Sequence, residues 1–396
     1  MPRSTLRVIL IAFASFIVLG MHAAVIGVLW SPHILTDFQQ SLGDLGVFLV
    51  VSTVGYFAGS SSSGRIFSRY PVGIILSLGM CLSGLGILGY ALSPSWTVMI
   101  ALSLVTNFGL GLLDGGMNIY FAAHFNASLM NWLHASFGVG ALIAPQLVNG
   151  LVLSLNLSWR SAYLAIAALF ALSAVLFWLT RQQWLPVHHT EQHSGMPIQA
   201  TLRLPVVWMG VIVFVCYTGL EAGAGTWAAP FFQAQAISEA VANNWVTAYW
   251  LSFTIGRIFF GAIVTRFRAA DMMRLCMLGS LVGALVLVWR PFPEANVLGV
   301  LIFGFTLAPC FALMITATQE RLGSAHAPNA IGVQVAAASF GGGVVPAVMG
   351  SITNSAGILV MPLLLVAMTL VMFVFYQWSL SPSFEIEKVK PVQPLA

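Results

Sequence analysis

The sequence predicts an all-α integral membrane protein in which twelve transmembrane helices form two six-helix pseudo-repeats, with both termini in the cytoplasm. Three observations predict this architecture: the composition, the spacing of apolar runs, and motifs that recur in the two halves. Hydrophobic residues make up 59% of the 396 residues, charged residues only 7%, and the mean hydropathy is +0.93. Soluble domains carry about 25% charged residues. Much of this chain must therefore face lipid.

The apolar runs give the number of helices. A spanning helix needs about 20 mostly apolar residues, and an unpaired backbone in lipid is costly, so each run must be helical. The first run, from Leu6 to about Trp30, is too long for a signal peptide and lacks a small-residue cleavage site, which predicts a retained first span. Twelve runs begin near residues 6, 43, 72, 96, 131, 160, 204, 240, 271, 295, 329 and 357.

The basic residues predict the orientation. Of the 15 Lys and Arg residues, Arg160 and Arg290 fall on one side, Arg257 lies within a span, and the other 12 fall at ends or loops on the opposite side. Basic residues concentrate on the cytoplasmic side of membrane proteins, so both termini are predicted to be cytoplasmic. The net charge of +4 then reflects topology, and we expect no nucleic-acid partner.

The organisation follows from the longest loop. We predict a bundle at 1–180, a cytoplasmic linker at 181–203, a second bundle at 204–380 and a cytoplasmic tail at 381–396. The linker contains three histidines, and we favour a solvated connection over a metal site because no neighbouring residue completes a ligand set. These histidines are His188, His189 and His193.

Two motifs repeat in corresponding spans. "GRIFSRY" (64–70) follows the second span and "GAIVTRF" (261–267) the eighth, while "ASFGVG" (135–140) lies in the fifth span and "ASFGGG" (338–343) in the eleventh. The chain thus resembles the major facilitator superfamily over nearly its whole length. The resemblance implies parallel repeats with a substrate site between them at mid-membrane.

The turn after the second span carries the superfamily's G-R-x-x-x-R pattern as Arg65 and Arg69. The family usually places Asp before the second Arg, and here Ser68 stands there. We expect Arg65 and Arg69 to act as gating or structural charges.

A narrower resemblance concerns spans four, five, seven and eight. "GLGLLDGGMN" (109–118) and "MNWLHASFGVGALIAP" (130–145) are similar to the fucose permease group of sugar/proton symporters. "YTGLEAGAGTW" (217–227) and "YWLSFTIGR" (249–257) resemble the sodium-dependent glucose transporter branch. Fucose permeases carry an acidic residue on span one, where this chain has only His22 as an ionisable group. His22 could line the cavity or serve packing.

Asp114 is one of only two acidic residues well inside the spans. A carboxyl at membrane depth is costly, and a poorly hydrated carboxyl can exchange protons near neutral pH. The turn between spans four and five centres near His124, ten residues from both Asp114 and His134. The two are therefore expected at similar depth, where they could share a proton or a hydrogen bond, and we predict that both take part in proton or ion coupling. The alternative is that Asp114 pairs with His134 or with Asn118 only to pack the helices, with no role in transport.

The other intramembrane acid is Glu221, about 17 residues into span seven and therefore expected nearer the outer side. The small residues around it allow another helix to approach. We predict a coupling or ligand role for Glu221, and a gating or structural role for Arg257 in span eight.

Sugar recognition requires donors and acceptors for hydroxyl groups and an aromatic platform for the apolar ring face. Polar amides and aromatic residues within or near the spans supply both. The predicted substrate-binding residues are Asn118, Asn131, Gln146, Tyr217, Trp227, Trp250 and Gln334, with Asn149 and Asn354 as further amides.

These features favour a secondary transporter of a sugar-like solute, coupled to protons or sodium by alternating access. A drug/proton antiporter of the same fold is the alternative, and a membrane receptor is the alternative from another class. No H-E-x-x-H, G-x-S-x-G or P-loop motif occurs, so we predict no enzyme and no cofactor. The expected setting is the cell membrane, with a functional monomer among its lipids.

Overall fold

Twelve long helices form the protein in the computed structural model, which describes residues 3–187, 196–263 and 266–381. Each is long and apolar enough to cross a membrane. In order, α1 to α12 are Thr5–Asp37, Leu42–Arg69, Val72–Leu92, Trp96–His124, Ser128–Ser154, Arg160–Leu179, Pro205–Gln233, Glu239–Ile263, Ala269–Trp289, Ala295–Gly323, Ala325–Ala356 and Ile358–Ser379.

The predicted span count and fold class are confirmed, because each helix begins within about one turn of its predicted start. At the ends of α1 and α5 that the basic residues predict to be extracellular, the α-helix changes to short π-helical segments, Trp30–Ile34 and Asn149–Ser154. The helical conformation is interrupted at Gly323, between α10 and α11. Its φ of 60° suits a residue without a Cβ.

The helix packing repeats between the two halves. In the first bundle α1 packs on α5, α2 on α4, and α3 on α4 and α6; in the second, α7 packs on α11, α8 on α10, and α9 on α10 and α12. Across the interface α1 meets α7, α2 meets α11, and α5 meets α8. Every pair has a counterpart six helices later, which is the packing that parallel repeats require.

The bundles are joined at the end that the basic residues predict to be extracellular. His33 Nε2 on α1 lies 2.7 Å from Glu239 Oε1 on α8. The amide nitrogen of Gly43 on α2 donates to Asn354 Oδ1 on α11 at 3.2 Å. At the opposite end of α2 the side chains of Arg65 and Arg69 are exposed. The end at which these contacts join the bundles is therefore closed in this conformation.

The described part of the linker contacts the second bundle. Its short helix Ile198–Leu202 docks through a buried contact of 2.9 Å between Thr201 Oγ1 and His326 Nδ1. The predicted linker histidines and the tail from residue 382 lie outside the described residues. The bundle, linker and tail boundaries remain predictions.

Candidate functional site

Asp114 is the centre of a polar cluster in the first bundle. Its Oδ2 accepts a hydrogen bond from the hydroxyl of Tyr56 on α2. Its Oδ1 accepts from Asn118 Nδ2 at 3.2 Å, one helical turn along α4. His134 on α5 is at the expected depth, with Nε2 3.1 Å from Asn118 Oδ1. Asn118 bridges the two side chains, so Asp114 and His134 are connected through its amide and the Asp114–Asn118 pair of the alternative is present.

Glycines bring α2 and α4 close enough for this cluster to form. A Cβ at Gly111 would collide with the backbone oxygen of Tyr56, and one at Gly59 would collide with the backbone of Phe108. Small residues let membrane helices pack backbone to backbone. The short distance between the helix axes is what allows the Tyr56 hydroxyl to reach Asp114.

A second cluster lies in the other bundle and contains the intramembrane ion pair. Arg257 Nη2 on α8 lies 3.4 Å from Glu221 Oε1 on α7, with side-chain exposures of 25% and 16%. The guanidinium stacks over the ring of Phe253, 4.6 Å from its centroid, and the Tyr249 hydroxyl donates to the Glu221 carbonyl oxygen at 3.0 Å. Glu221 is the 17th of the 29 residues of α7, which is somewhat nearer to Gln233, at the end predicted to be extracellular, than to Pro205.

The two clusters face each other across the bundle interface. Gly138, one turn after His134 on α5, packs against Thr254, one turn before Arg257 on α8. A line of polar side chains thus runs from α2 through α4 and α5 to α8 and α7. Polar residues at this depth are expensive in lipid, so their alignment at one interface indicates function.

Aromatic residues surround the second cluster. Tyr217 is fully buried and lies within the electrostatic reach of Glu221 and Arg257, while its hydroxyl has no well-oriented hydrogen bond to the described residues. The ring of Phe311 on α10 lies 5.9 Å from that of Tyr217. The indole nitrogen of Trp250 is likewise buried without a partner among the described residues. The Tyr217 hydroxyl therefore offers a hydrogen-bonding group close to the apolar ring of Phe311, and the Trp250 indole nitrogen offers a second one.

Trp227 differs from the other predicted platforms. It is fully buried, and its Nε1 donates to the carbonyl oxygen of Pro346 on α11 at 2.9 Å. Its polar group is therefore already used for packing between α7 and α11, and the structure does not bring it to the cluster.

Three predicted substrate-binding amides also lie apart from the clusters. Gln146 bonds across the interface to Asn244 and Thr247, both at 2.9 Å, at the closed end of the molecule. Asn131 is exposed near the start of α5. Gln334 is buried at 2% exposure and lines a small cavity inside the second bundle with Gly210 and other residues.

His22 is packed inside the first bundle. Its ring stacks on Tyr90 at 6.2 Å and meets Phe170 edge-on. This is the packing alternative of the prediction. The predicted gating residues Arg65 and Arg69 remain exposed. Within the part of the chain that the structure describes, no group of three His, Cys, Asp or Glu side chains could hold a metal ion.

Sequence reasoning missed four members of the clusters: Tyr56, Tyr249, Phe253 and Phe311. A signal existed for Tyr56, which is an aromatic residue with a polar tip inside the small-residue stretch "VGYFAGSSSSG" (54–64). Tyr249 and Phe253 lie inside the quoted stretch "YWLSFTIGR" (249–257). Phe311 lacks such a signal, because it is one of 27 Phe residues.

Comparison with known proteins identifies the family. A sequence model of the Major Facilitator Superfamily matches residues 10–237 and 222–394. The chain belongs to the major facilitator superfamily. This membership and the twelve spans make it a multi-pass membrane transporter and not an enzyme.

Relatives within the superfamily are distant in sequence. Bypass of stop codon protein 6 of Saccharomyces cerevisiae is 24% identical over 413 residues, covering 93% of this chain and 81% of that protein. The glucose/mannose transporter GlcP of Bacillus subtilis is 22% identical over 360 residues, covering 88% and 89%.

Solved major facilitator structures share the fold. A bacterial homologue of the human lysosomal transporter Spinster, inward-facing and unoccupied, superposes with a TM-score of 0.78 at 13% identity, covering 98% of this chain and 100% of that one. A D-xylose-proton symporter superposes with a TM-score of 0.74 at 15% identity, covering 94% and 98%.

Proposed function

We propose that this transporter is a symporter that couples the entry of a proton to that of a sugar-like solute across the cell membrane. The observation that carries the proposal is the Asp114 cluster, which is a carboxyl group at membrane depth with two hydrogen-bond donors and a line of polar groups toward the second bundle. A buried carboxyl that gains and loses contact with water as the bundles rock can load and release a proton.

We place the solute next to the second cluster. Glu221 and Arg257 offer an acceptor and a donor to hydroxyl groups. The buried Trp250 indole N–H lacks a partner among the described residues, and the Tyr217 hydroxyl has no well-oriented hydrogen bond to them. Phe311 offers a ring face to the apolar side of a sugar. The glucose/mannose specificity in the name of the Bacillus relative supports a hexose.

The test is uptake of radiolabelled D-glucose into proteoliposomes that contain the purified protein. We expect an inward proton gradient to drive accumulation above the equilibrium level in the wild type. In Asp114→Asn we expect exchange of glucose to continue while accumulation is lost, because an amide cannot carry the proton.

The control is Asp44→Asn, which removes a carboxylate at the outer end of α2, where Asp44 accepts bonds from Ser41. This variant should accumulate glucose like the wild type. If Asp114→Asn also accumulates glucose normally, Asp114 is not the proton carrier. If sodium but not protons drives uptake, the coupling ion is sodium. If no gradient moves glucose, the solute belongs to another class.

A further inference from the structure

The hydrogen bonds around Asp114 have a defined direction from donor to acceptor. Both carboxyl oxygens accept, one from the Tyr56 hydroxyl and the other from Asn118 Nδ2. An ionised carboxylate only accepts hydrogen bonds, whereas a protonated carboxyl must donate one. The arrangement therefore fits ionised Asp114, which is the form expected after a proton has left toward the open side.

This direction of hydrogen bonding sets the orientation of the Asn118 amide. Because Nδ2 donates to Asp114, Oδ1 is turned to His134, and His134 must donate from Nε2 across 3.1 Å. An amide presents donors at one end and an acceptor at the other. The two donors thus point in one direction, from His134 to Asn118 and from Asn118 to Asp114.

Protonation of Asp114 reverses this direction. The Tyr56 hydroxyl already occupies Oδ2, so the new proton belongs on Oδ1, where it meets the donor end of Asn118. A half-turn of the amide presents its oxygen to Asp114 and its nitrogen to His134. The His134 Nε2 must then accept, so His134 gives the Nε2 proton to water and takes one from water at Nδ1. His134 stays neutral, and the net change is the one proton that Asp114 gains.

We propose that Asn118 is the positioning residue that relays the protonation of Asp114 to His134, and thereby to the second bundle. The proposal rests on the proposed proton coupling and gives Asn118 a role other than substrate binding. The receiving side is the second bundle, because α5 packs against α8. Gly138, one turn after His134, faces Thr254, one turn before Arg257, and Arg257 is paired with Glu221 on α7.

The groups that face the relay are few among the described residues. The facing titratable or charged groups are Tyr56 on α2, His134 on α5 and Arg257 on α8. From α1 the neighbour is apolar, since the ring of Phe16 meets His134 edge-on at 5.8 Å. Asn118 is therefore the polar partner of the His134 ring in the first bundle, and a change in the His134 tautomer is felt there.

The test follows the His134 ring by nitrogen NMR in protein labelled with ¹⁵N-histidine. His134→Gln assigns the signal among the 8 histidines. We expect the wild-type His134 to exchange its protonated nitrogen, from Nε2 to Nδ1, as the pH falls through the range in which Asp114 binds its proton. Asp114→Asn should remove this transition.

Asn118→Leu should also remove the transition, because leucine has a similar size and no hydrogen-bonding groups. Asn107→Leu is the matched control, since Asn107 lies on the same helix and bonds only to the Ser103 carbonyl at 2.9 Å. This control should behave like the wild type. Asn118→Thr, whose hydroxyl is too short to bridge both neighbours, replaces Asn118→Leu if that variant does not fold.

In the uptake assay with D-glucose, Asn118→Leu should reduce proton-driven accumulation by about tenfold or more while exchange persists. A His134 transition that survives in Asn118→Leu, or that is absent from the wild type, overturns the relay. The NMR measurement contains neither solute nor gradient. Failure of the relay is therefore distinguishable from failure of the sugar assignment, which appears as a wild type that moves no glucose.

Discussion

At the scale of single residues, the site depends on charges that are compensated locally. Arg257 is held by one carboxylate at 3.4 Å and by the face of Phe253. Removing one member of a buried ion pair leaves an uncompensated charge, which costs more than removing both members. The pair is therefore a structural requirement of the second bundle as well as part of the proposed solute site.

We predict that Glu221→Gln and Arg257→Met each lower the stability of the protein, and that the double variant is less destabilised than the sum of the two. The coupling energy should be about 1–3 kcal/mol. Unfolding of the four proteins in one detergent measures it. Purely additive effects would show that the two charges do not depend on each other in the folded state.

The residue type alone was enough to select some site residues from the sequence and not enough to select others. Asp114 and Glu221 could be selected from the sequence because an acid in an apolar run has a high cost in lipid. Gln146 could not be distinguished from Asn118, since both are amides in apolar segments. Only the structure separates the two: Gln146 bonds to the opposite bundle at the closed end, and Asn118 bonds within the Asp114 cluster.

At the scale of helices, close approach decides the packing. The run Gly341, Gly342 and Gly343 on α11 could serve packing or bending by sequence alone. In the structure, a Cβ at Gly341 would meet the backbone of Val215 on α7, and one at Gly343 would meet Thr53 on α2 of the other bundle. At Gly342 there is open space within 4 Å.

These three neighbours should respond differently to alanine. Gly341→Ala should destabilise the second bundle by about 1–3 kcal/mol because backbone atoms cannot move aside. Gly342→Ala should be neutral or slightly stabilising, since alanine favours helix. Gly343→Ala should leave the bundle intact and disfavour this conformation, in which α11 packs closely against α2. Thermal unfolding and labelling of the outer mouth distinguish these effects, and equal effects of all three would contradict the packing explanation.

At the scale of the whole molecule, neutral amides close the outer mouth. Gln146 and Asn149 on α5 bond to Asn243, Asn244 and Thr247 on α8 at 2.9–3.1 Å. Each neutral hydrogen bond contributes about 0.5–1.5 kcal/mol, so the closure is firm and still reversible. Alternating access requires these bonds to break when the outer side opens.

We predict that Gln146→Cys with Asn244→Cys, in a background whose four native cysteines are replaced by alanine, cross-links the bundles at this mouth. Oxidation should abolish uptake, and reduction should restore it. Each single cysteine variant is the control and should transport after oxidation. Uptake by the cross-linked protein would show that this mouth does not open during transport.

The sequence by itself determined the class, the number of helices and where each begins to within about one turn, and the repeat. Each follows from local physics, because lipid demands about 20 apolar residues for each span and helical pairing of every backbone group. It also identified Asp114, His134, Glu221 and Arg257 as the intramembrane groups to examine.

Only the tertiary structure decided which side chains meet. The bridge through Asn118, the pairing of Arg257 with Glu221 and the use of Trp227 in packing depend on the rotation of each helix about its axis and on the distance between helices. Neither quantity is encoded in one segment. Both result from how glycines and larger side chains of different helices fit together, and this places Tyr56, 58 positions before Asp114, at its carboxylate.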